Sequence, residues 1–156
     1  MQKKYDIALD WNDVTGFFDI LARRGIALNY GSLIGHSDLR GTVMGAADRP
    51  PTSQELDRMK VLLEENLEAG VFGLSSGLIY TPGCYAHMNE LIELCRIVAI
   101  HNGVYSTHMR DEGDNLIEAV EEAIMIAKES KVSLQISHLK MAYPRNWPKV
   151  HAVLSR

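Results

Sequence analysis

Apolar residues recur along the chain at two spacings, one helical and one extended. In residues 12–24, Val14, Phe17, Phe18 and Leu21 share a helical face and Gly25 follows the last turn, which predicts an amphipathic helix stopped by a glycine. Residues 26–33 read as a first strand. Thr52-Ser53-Gln54-Glu55 is a capping-box pattern, in which a hydroxyl and a carboxylate each satisfy an otherwise orphaned backbone N–H. Leu56, Met59, Leu63 and Leu67 carry that helix on to Gly70. A strand at 71–76, a helix at 87–102 ended by Gly103, and a strand at 104–108 follow. Asp114 is placed to cap a further helix with Ile117, Val120, Ile124 and Ala127 inside and Glu118, Glu121, Glu122 and Lys128 outside, the acidic residues simply solvated. Residues 132–137 read as the fourth strand and 147–154 as a terminal helix.

Strands alternating with helices imply right-handed crossovers and a parallel sheet covered on its faces, so the fold class is α/β built of parallel βα repeats. Four strands suit either a small open, doubly wound sheet or part of a closed eight-fold barrel, which typically needs ~250 residues. No repeat, low-complexity tract or linker divides the chain, and residues 1–156 are expected to form a single domain. The longest irregular stretch, 35–51, carries Arg40, Asp48, Arg49 and two prolines, and is long enough for a connection to suggest a functional loop.

Composition narrows the function. With 46% apolar and 23% charged residues the chain can bury an ordinary core. A net charge of −4 argues against a nucleic-acid surface, and 7% aromatics offer no stacking platform for bases. Apolar runs fall short of the ~18 residues of a membrane span, and the opening MQKKYDIALDW carries charge without an apolar leader core, so no membrane association is expected. Two cysteines make neither a disulfide framework nor a four-thiolate metal site, which fits a cytoplasmic setting.

Ligands of parallel sheets bind beyond the carboxyl ends of the strands. Those ends here are GSLIGHSDLR, LSSGLIYTPG, STHMRDEGD and QISHLKMA, and His108 and His138 stand where a strand hands over to its loop. Adjacent strands lie ~4.8 Å apart, so two such imidazoles can share a Zn²⁺ with Zn–N distances of ~2.0–2.1 Å. A pair of hydrogen-bonded core histidines fits the same spacing. Gly73-Leu74-Ser75-Ser76-Gly77 matches G-x-S-x-G with Asp111, Asp114 and His138 downstream, a serine-hydrolase order, although residues 78–83 read as a loop rather than the helix a nucleophile elbow requires. A glycine-bounded turn or a non-catalytic α/β interaction module accounts for the same residues. Neither G-x-G-x-x-G nor a Walker A sequence occurs. Cys84 lies in a loop where a nearby cation would make it reactive, while Cys95 falls on a helical core stripe. His87, His101 and His151 sit near helix ends or on the terminal helix, and His36 suits either a ligand or a loop hydrogen bond.

Four stretches, NYGSLIGHSDLR, EAGVFGLSSGLIYTPGCYA, GVYSTHMRDEGD and VSLQISHLK, together resemble the N-acyl-D-amino-acid deacylases, the D-aminoacylase branch of the metal-dependent amidohydrolase superfamily. The resemblance spans nearly the whole chain. It implies part of a (β/α)8 TIM-type barrel in which His108, of the T-H-M-R motif, and His138, of the I-S-H-L-K motif, are zinc ligands. By the same motifs Lys140 resembles the lysine that meets the substrate carboxylate, and Tyr80 the tyrosine that lines that pocket. Zinc in such enzymes polarises an amide carbonyl and activates water, while an aspartate shuttles the proton. The family's H-x-H pair, metal-binding cysteine and catalytic aspartate have no counterpart in the matching stretches, and no H-x-H occurs in the chain. The expectation is therefore a central piece of a longer zinc amidohydrolase acting on small N-acyl-D-amino acids, a poor catalyst alone, and self-associating through exposed barrel edges.

Overall fold

The structure, a computed structural model, describes residues 10–156. Most of the stretch read above for a leader lies outside the described residues. Ile34–Gly35 (β1), Gly73–Gly77 (β2), Val104–His108 (β3) and Ser133–Ile136 (β4) form one parallel sheet in the order β1-β2-β3-β4. Around it lie helices Val14–Arg24 (α1), His36–Met44 (α2), Ser53–Glu68 (α3), Met88–Ile100 (α4), Leu116–Ser130 (α5) and Val150–Leu154 (α6). Strands in sequential order with intervening helices are the α/β arrangement that the alternation of patterns predicts.

Local chemistry explains most boundaries. The Gly16 N–H donates to Asp13 Oδ1 at 2.7 Å to start α1, and Gly25 ends it with a φ of 73°. The capping box of α3 forms as read: the Glu55 N–H reaches Thr52 Oγ1 at 3.3 Å and the Thr52 N–H reaches Glu55 Oε2 at 2.7 Å. Gly73, with a φ of 155°, is required where β2 approaches β3, because a Cβ there would lie 2.0 Å from the Val104 carbonyl oxygen.

Four local readings need correction. The stretch 26–33 does not pair as a strand: Ile26, Leu28 and Tyr30 are exposed, Tyr30 stacks edge-on against Phe17 at 5.7 Å, and regular pairing starts only at Ile34 opposite Leu74. The supposed loop 35–51 is largely the helix α2, whose apolar periodicity is hidden because two of its three buried residues are His36 and Arg40. Asp114 does not cap α5. Asn115 holds that position, and Asp114 instead accepts hydrogen bonds from Arg145 Nε and Nη2 at 2.8 and 2.9 Å. Glu122 is not merely solvated but pairs with Arg110.

Strand residues alternate between the two faces of the sheet. Leu74, Tyr105 and Thr107 are fully buried, and Leu74 and Tyr105 join Leu39, Met59, Leu63, Leu91, Leu94, Val98 and Ile126 in the main core. A smaller cluster of Met109, Leu116, Ala119, Val120 and Val153 lies under α6. The positions in between, Ser75, Ser106 and Gln135, stand level across β2, β3 and β4 and are small or polar. Among the described residues no helix is long and apolar enough to cross a membrane.

Candidate metal centre

Register brings the two histidines together. Thr107 stands opposite Ile136, and the Ser137 N–H donates to the Thr107 carbonyl at 3.0 Å, so His108 ends β3 beside the residues that leave β4. His138 follows with a φ of 40°, a left-handed conformation uncommon outside glycine. The two rings lie 4.6 Å apart between centroids and meet edge to face, with His108 Nδ1 2.9 Å from His138 Nε2.

Glu112 completes the cluster. Its Oε1 lies 2.9 Å from His138 Nδ1 and 3.9 Å from His108 Nδ1, and its Oε2 lies 2.5 Å from Lys140 Nζ. Lys140 Nζ is also 3.3 Å from His138 Nδ1. The Tyr80 ring sits 5.3 Å from that of His108. Glu112 is buried, His108 partly so, and His138, Lys140 and Tyr80 open to solvent.

Two groups meet His138 Nδ1: Glu112 Oε1 at 2.9 Å, which as a carboxylate only accepts, and the Lys140 ammonium at 3.3 Å, which only donates. The shorter contact favours a proton on Nδ1, which turns the Nε2 lone pair toward His108 Nδ1. Burial pulls the His108 pKa below the ordinary histidine value. The Glu112 charge opposes that shift, and His138 and Lys140 add to it.

His108, Glu112 and His138 can together hold a metal ion. Two nitrogens sharing a tetrahedral zinc at ~2.0–2.1 Å are about 3.3 Å apart, close to the 2.9 Å seen between the facing nitrogens. His108 Nε2 is buried without a partner, so the ring has its other nitrogen free to carry the proton when Nδ1 turns to a cation.

All four residues singled out by motif, Tyr80, His108, His138 and Lys140, meet at this end of the sheet. Glu112 was missed, although it stands four residues after His108 between the two aspartates that drew attention. Those aspartates go elsewhere: Asp111 accepts from the Gly113 N–H and Asn115, and Asp114 pairs with Arg145. Ser75 lies within β2, which runs on to Gly77, and its hydroxyl faces the Ile34 carbonyl at 3.4 Å. No helix follows it directly, so the nucleophile elbow is absent. Cys95 is buried, which pushes its thiol pKa well up, and Cys84 is half-buried. His36 is fully buried against Glu90 at 2.8 Å, Arg49 pairs with Glu55, His101 lies 3.7 Å from Glu64, and His151 is exposed. Arg110 ties the loop behind Tyr80 in place: Nη1 and Nη2 donate to the carbonyls of Cys84 and Ala86 at 2.9 Å while the same guanidinium grips Glu122.

A histidine pair and a carboxylate at the carboxyl edge of a parallel α/β sheet make a candidate metal centre. No family model matches the chain. D-aminoacylase of Alcaligenes xylosoxydans xylosoxydans is 37% identical over 147 residues, 90% of this chain and 30% of that protein. A crystal structure of N-acyl-D-glutamate deacylase from Bordetella bronchiseptica, complexed with zinc and a phosphonate mimic of the tetrahedral intermediate, superposes with a TM-score of 0.88 at 35% identity, covering 92% of this chain and 30% of that one. A crystal structure of D-aminoacylase, which defines a novel subset of amidohydrolases, gives a TM-score of 0.87 at 36% identity with the same coverage. This chain is a homologue of the N-acyl-D-amino-acid deacylases, the D-aminoacylase branch of the amidohydrolases, and spans about three-tenths of their length.

Proposed function

We propose that residues 1–156 are a partial catalytic-barrel domain of a zinc-dependent amidohydrolase that cleaves the amide bond of N-acyl-D-amino acids. The observation that carries this reading is the 2.9 Å approach of His108 Nδ1 to His138 Nε2 at the carboxyl ends of paired strands, with Lys140 and Tyr80 beside it.

His108 and His138 are the zinc ligands. Bound zinc supplies Lewis acidity, polarising the scissile carbonyl and making water a competent nucleophile near neutral pH. Lys140 offers its ammonium to the substrate carboxylate, and the Tyr80 ring walls the same side. Catalytic zinc takes three protein ligands, and this chain carries no match to the family's catalytic aspartate, so the chain by itself is a poor catalyst. Its partner is a small N-acyl amino acid, and its setting is cytoplasmic, in keeping with two unpaired thiols. Among the described residues β1 and β4 are the edges of the sheet, and such edges favour self-association, which light scattering against concentration would detect.

Zinc titration against a chromophoric chelator tests the reading. The chain is expected to bind one equivalent, and His108→Ala and His138→Ala each to abolish binding. A chain that leaves the chelator's zinc untouched, or whose binding survives both substitutions, would refute it. The serine-hydrolase alternative is not favoured, and an organophosphonate is expected to leave Ser75 unlabelled.

A further inference from the structure

Taking the proposed zinc site as its starting point, we infer that Glu112 is a positioning residue for His138 and Lys140, and not a third ligand. Its two oxygens are both engaged. Oε1 takes the His138 Nδ1–H at 2.9 Å and Oε2 takes the Lys140 ammonium at 2.5 Å. The ring nitrogen that Glu112 holds is the one turned from His108, since the nitrogen facing His108 is Nε2. A carboxylate bonded to one nitrogen of an imidazole fixes the lone pair on the other, and metal-ligating histidines commonly donate their second N–H to such a group.

The loop geometry serves the same end. Glu112 is buried, and its carbonyl accepts the Ala142 N–H at 2.7 Å, so the loop after β3 is bolted to the segment after β4 by backbone and side chain together. Its negative charge also offsets Lys140, whose ammonium otherwise sits 3.3 Å from the ring with nothing to balance it. Removing Glu112 therefore does two things: it frees the His138 ring and tautomer, and it leaves an unbalanced cation beside a site that must receive another.

Two measurements on the 156-residue chain decide the matter. Long-range ¹H–¹⁵N correlation spectra of the metal-free protein report the tautomer of His138 directly, and chelator competition reports zinc affinity. Wild type is expected to show His138 protonated on Nδ1. Glu112→Ala is expected to shift it toward the Nε2–H form and to weaken zinc binding about tenfold to a hundredfold. Glu112→Gln keeps an oxygen for the Nδ1–H but not the charge that balances Lys140, and is expected to restore the wild-type tautomer and an affinity clearly above that of the alanine variant. The backbone spectrum shows at once that each variant is folded. An unchanged tautomer in Glu112→Ala overturns the inference. So does a Glu112→Gln protein that keeps the tautomer yet binds zinc as poorly as the alanine variant, because the hold on the His138 tautomer would then not be what sets the affinity. If wild type takes up no zinc, the proposed function fails, while the tautomer comparison still judges the hold of Glu112 on His138.

Discussion

Glu90→Gln probes the buried ion cluster that joins α2 to α4. Arg40 and His36 are wholly shielded from solvent, and Glu90 nearly so. Glu90 Oε2 accepts from Arg40 Nη1 at 2.5 Å, and Oε1 meets His36 Nε2 at 2.8 Å. The second Arg40 nitrogen donates to the carbonyls of Ala47 and Arg49 at 3.2 and 2.6 Å, which closes the turn between α2 and α3. The amide variant keeps the shape of Glu90 and removes its charge, leaving a buried guanidinium with only neutral acceptors. Breaking a buried pair in this way costs about 3–5 kcal/mol, and at about 2–4 °C per kcal/mol for a chain of this size Tm falls by roughly 6–20 °C. Urea unfolding followed by circular dichroism at 222 nm measures the loss. Replacing both partners, as in Arg40→Met with Glu90→Met, is expected to recover much of it, since no stranded charge remains.

The same cluster sets an acid response. Burial raises the Glu90 pKa, and the hydrogen bonds and charges of His36 and Arg40 more than offset this, so the folded carboxyl lies below the usual range. A depressed folded pKa contributes stability that is complete above about pH 4.3, the ordinary glutamate value, and is lost as pH falls through the folded pKa. Glu90→Gln should flatten that part of the profile. A variant within about 0.5 kcal/mol of wild type, the range of an ordinary surface change, or one with the wild-type acid slope, would refute the reasoning.

Two further substitutions test how the sheet and its loops are held. Gly73→Ala forces a Cβ to within 2.0 Å of the Val104 carbonyl in a left-handed backbone and is expected to cost well over 1 kcal/mol, read as a lowered urea midpoint; a midpoint equal to wild type would show that β2 can shift to accept it. Arg110→Met removes the grip on the Cys84 and Ala86 carbonyls and on Glu122, and should lower stability by about 1–2 kcal/mol while amide exchange at residues 84–86 quickens more than elsewhere; uniform exchange would refute a local role.

What the sequence discloses tracks how local each cause is. The helix α3 is legible because its cap and its apolar stripe lie within sixteen residues of one another, and β3 because its five residues are flanked by a glycine and a polar loop. The helix α2 is not, because its inward groups are an imidazole and a guanidinium whose partner, Glu90, lies 50 residues beyond Arg40. Residues 26–33 have strand-like composition, but only their end reaches β2, where the Ser32 carbonyl accepts the Phe72 N–H at 2.9 Å before regular pairing begins at Ile34, and pairing is a tertiary fact. At the site, His108 and His138 could be found from their places at strand ends. Glu112 could not, since its meaning depends on a ring 26 residues away.

The backbone at His138 shows why these contacts matter together. Of the residues with positive φ, Asn102 and Lys131 follow helices, where left-handed caps are routine. His138 follows a strand, and a non-glycine residue held there costs on the order of 1 kcal/mol. Such strain persists only where surrounding contacts over-determine the position, and His138 has contacts on both ring nitrogens: His108 at one edge, Glu112 and Lys140 at the other. The left-handed turn at His138 and the contacts on its two ring nitrogens therefore belong to one arrangement. The contacts that hold the strained residue are the same ones that aim its lone pair.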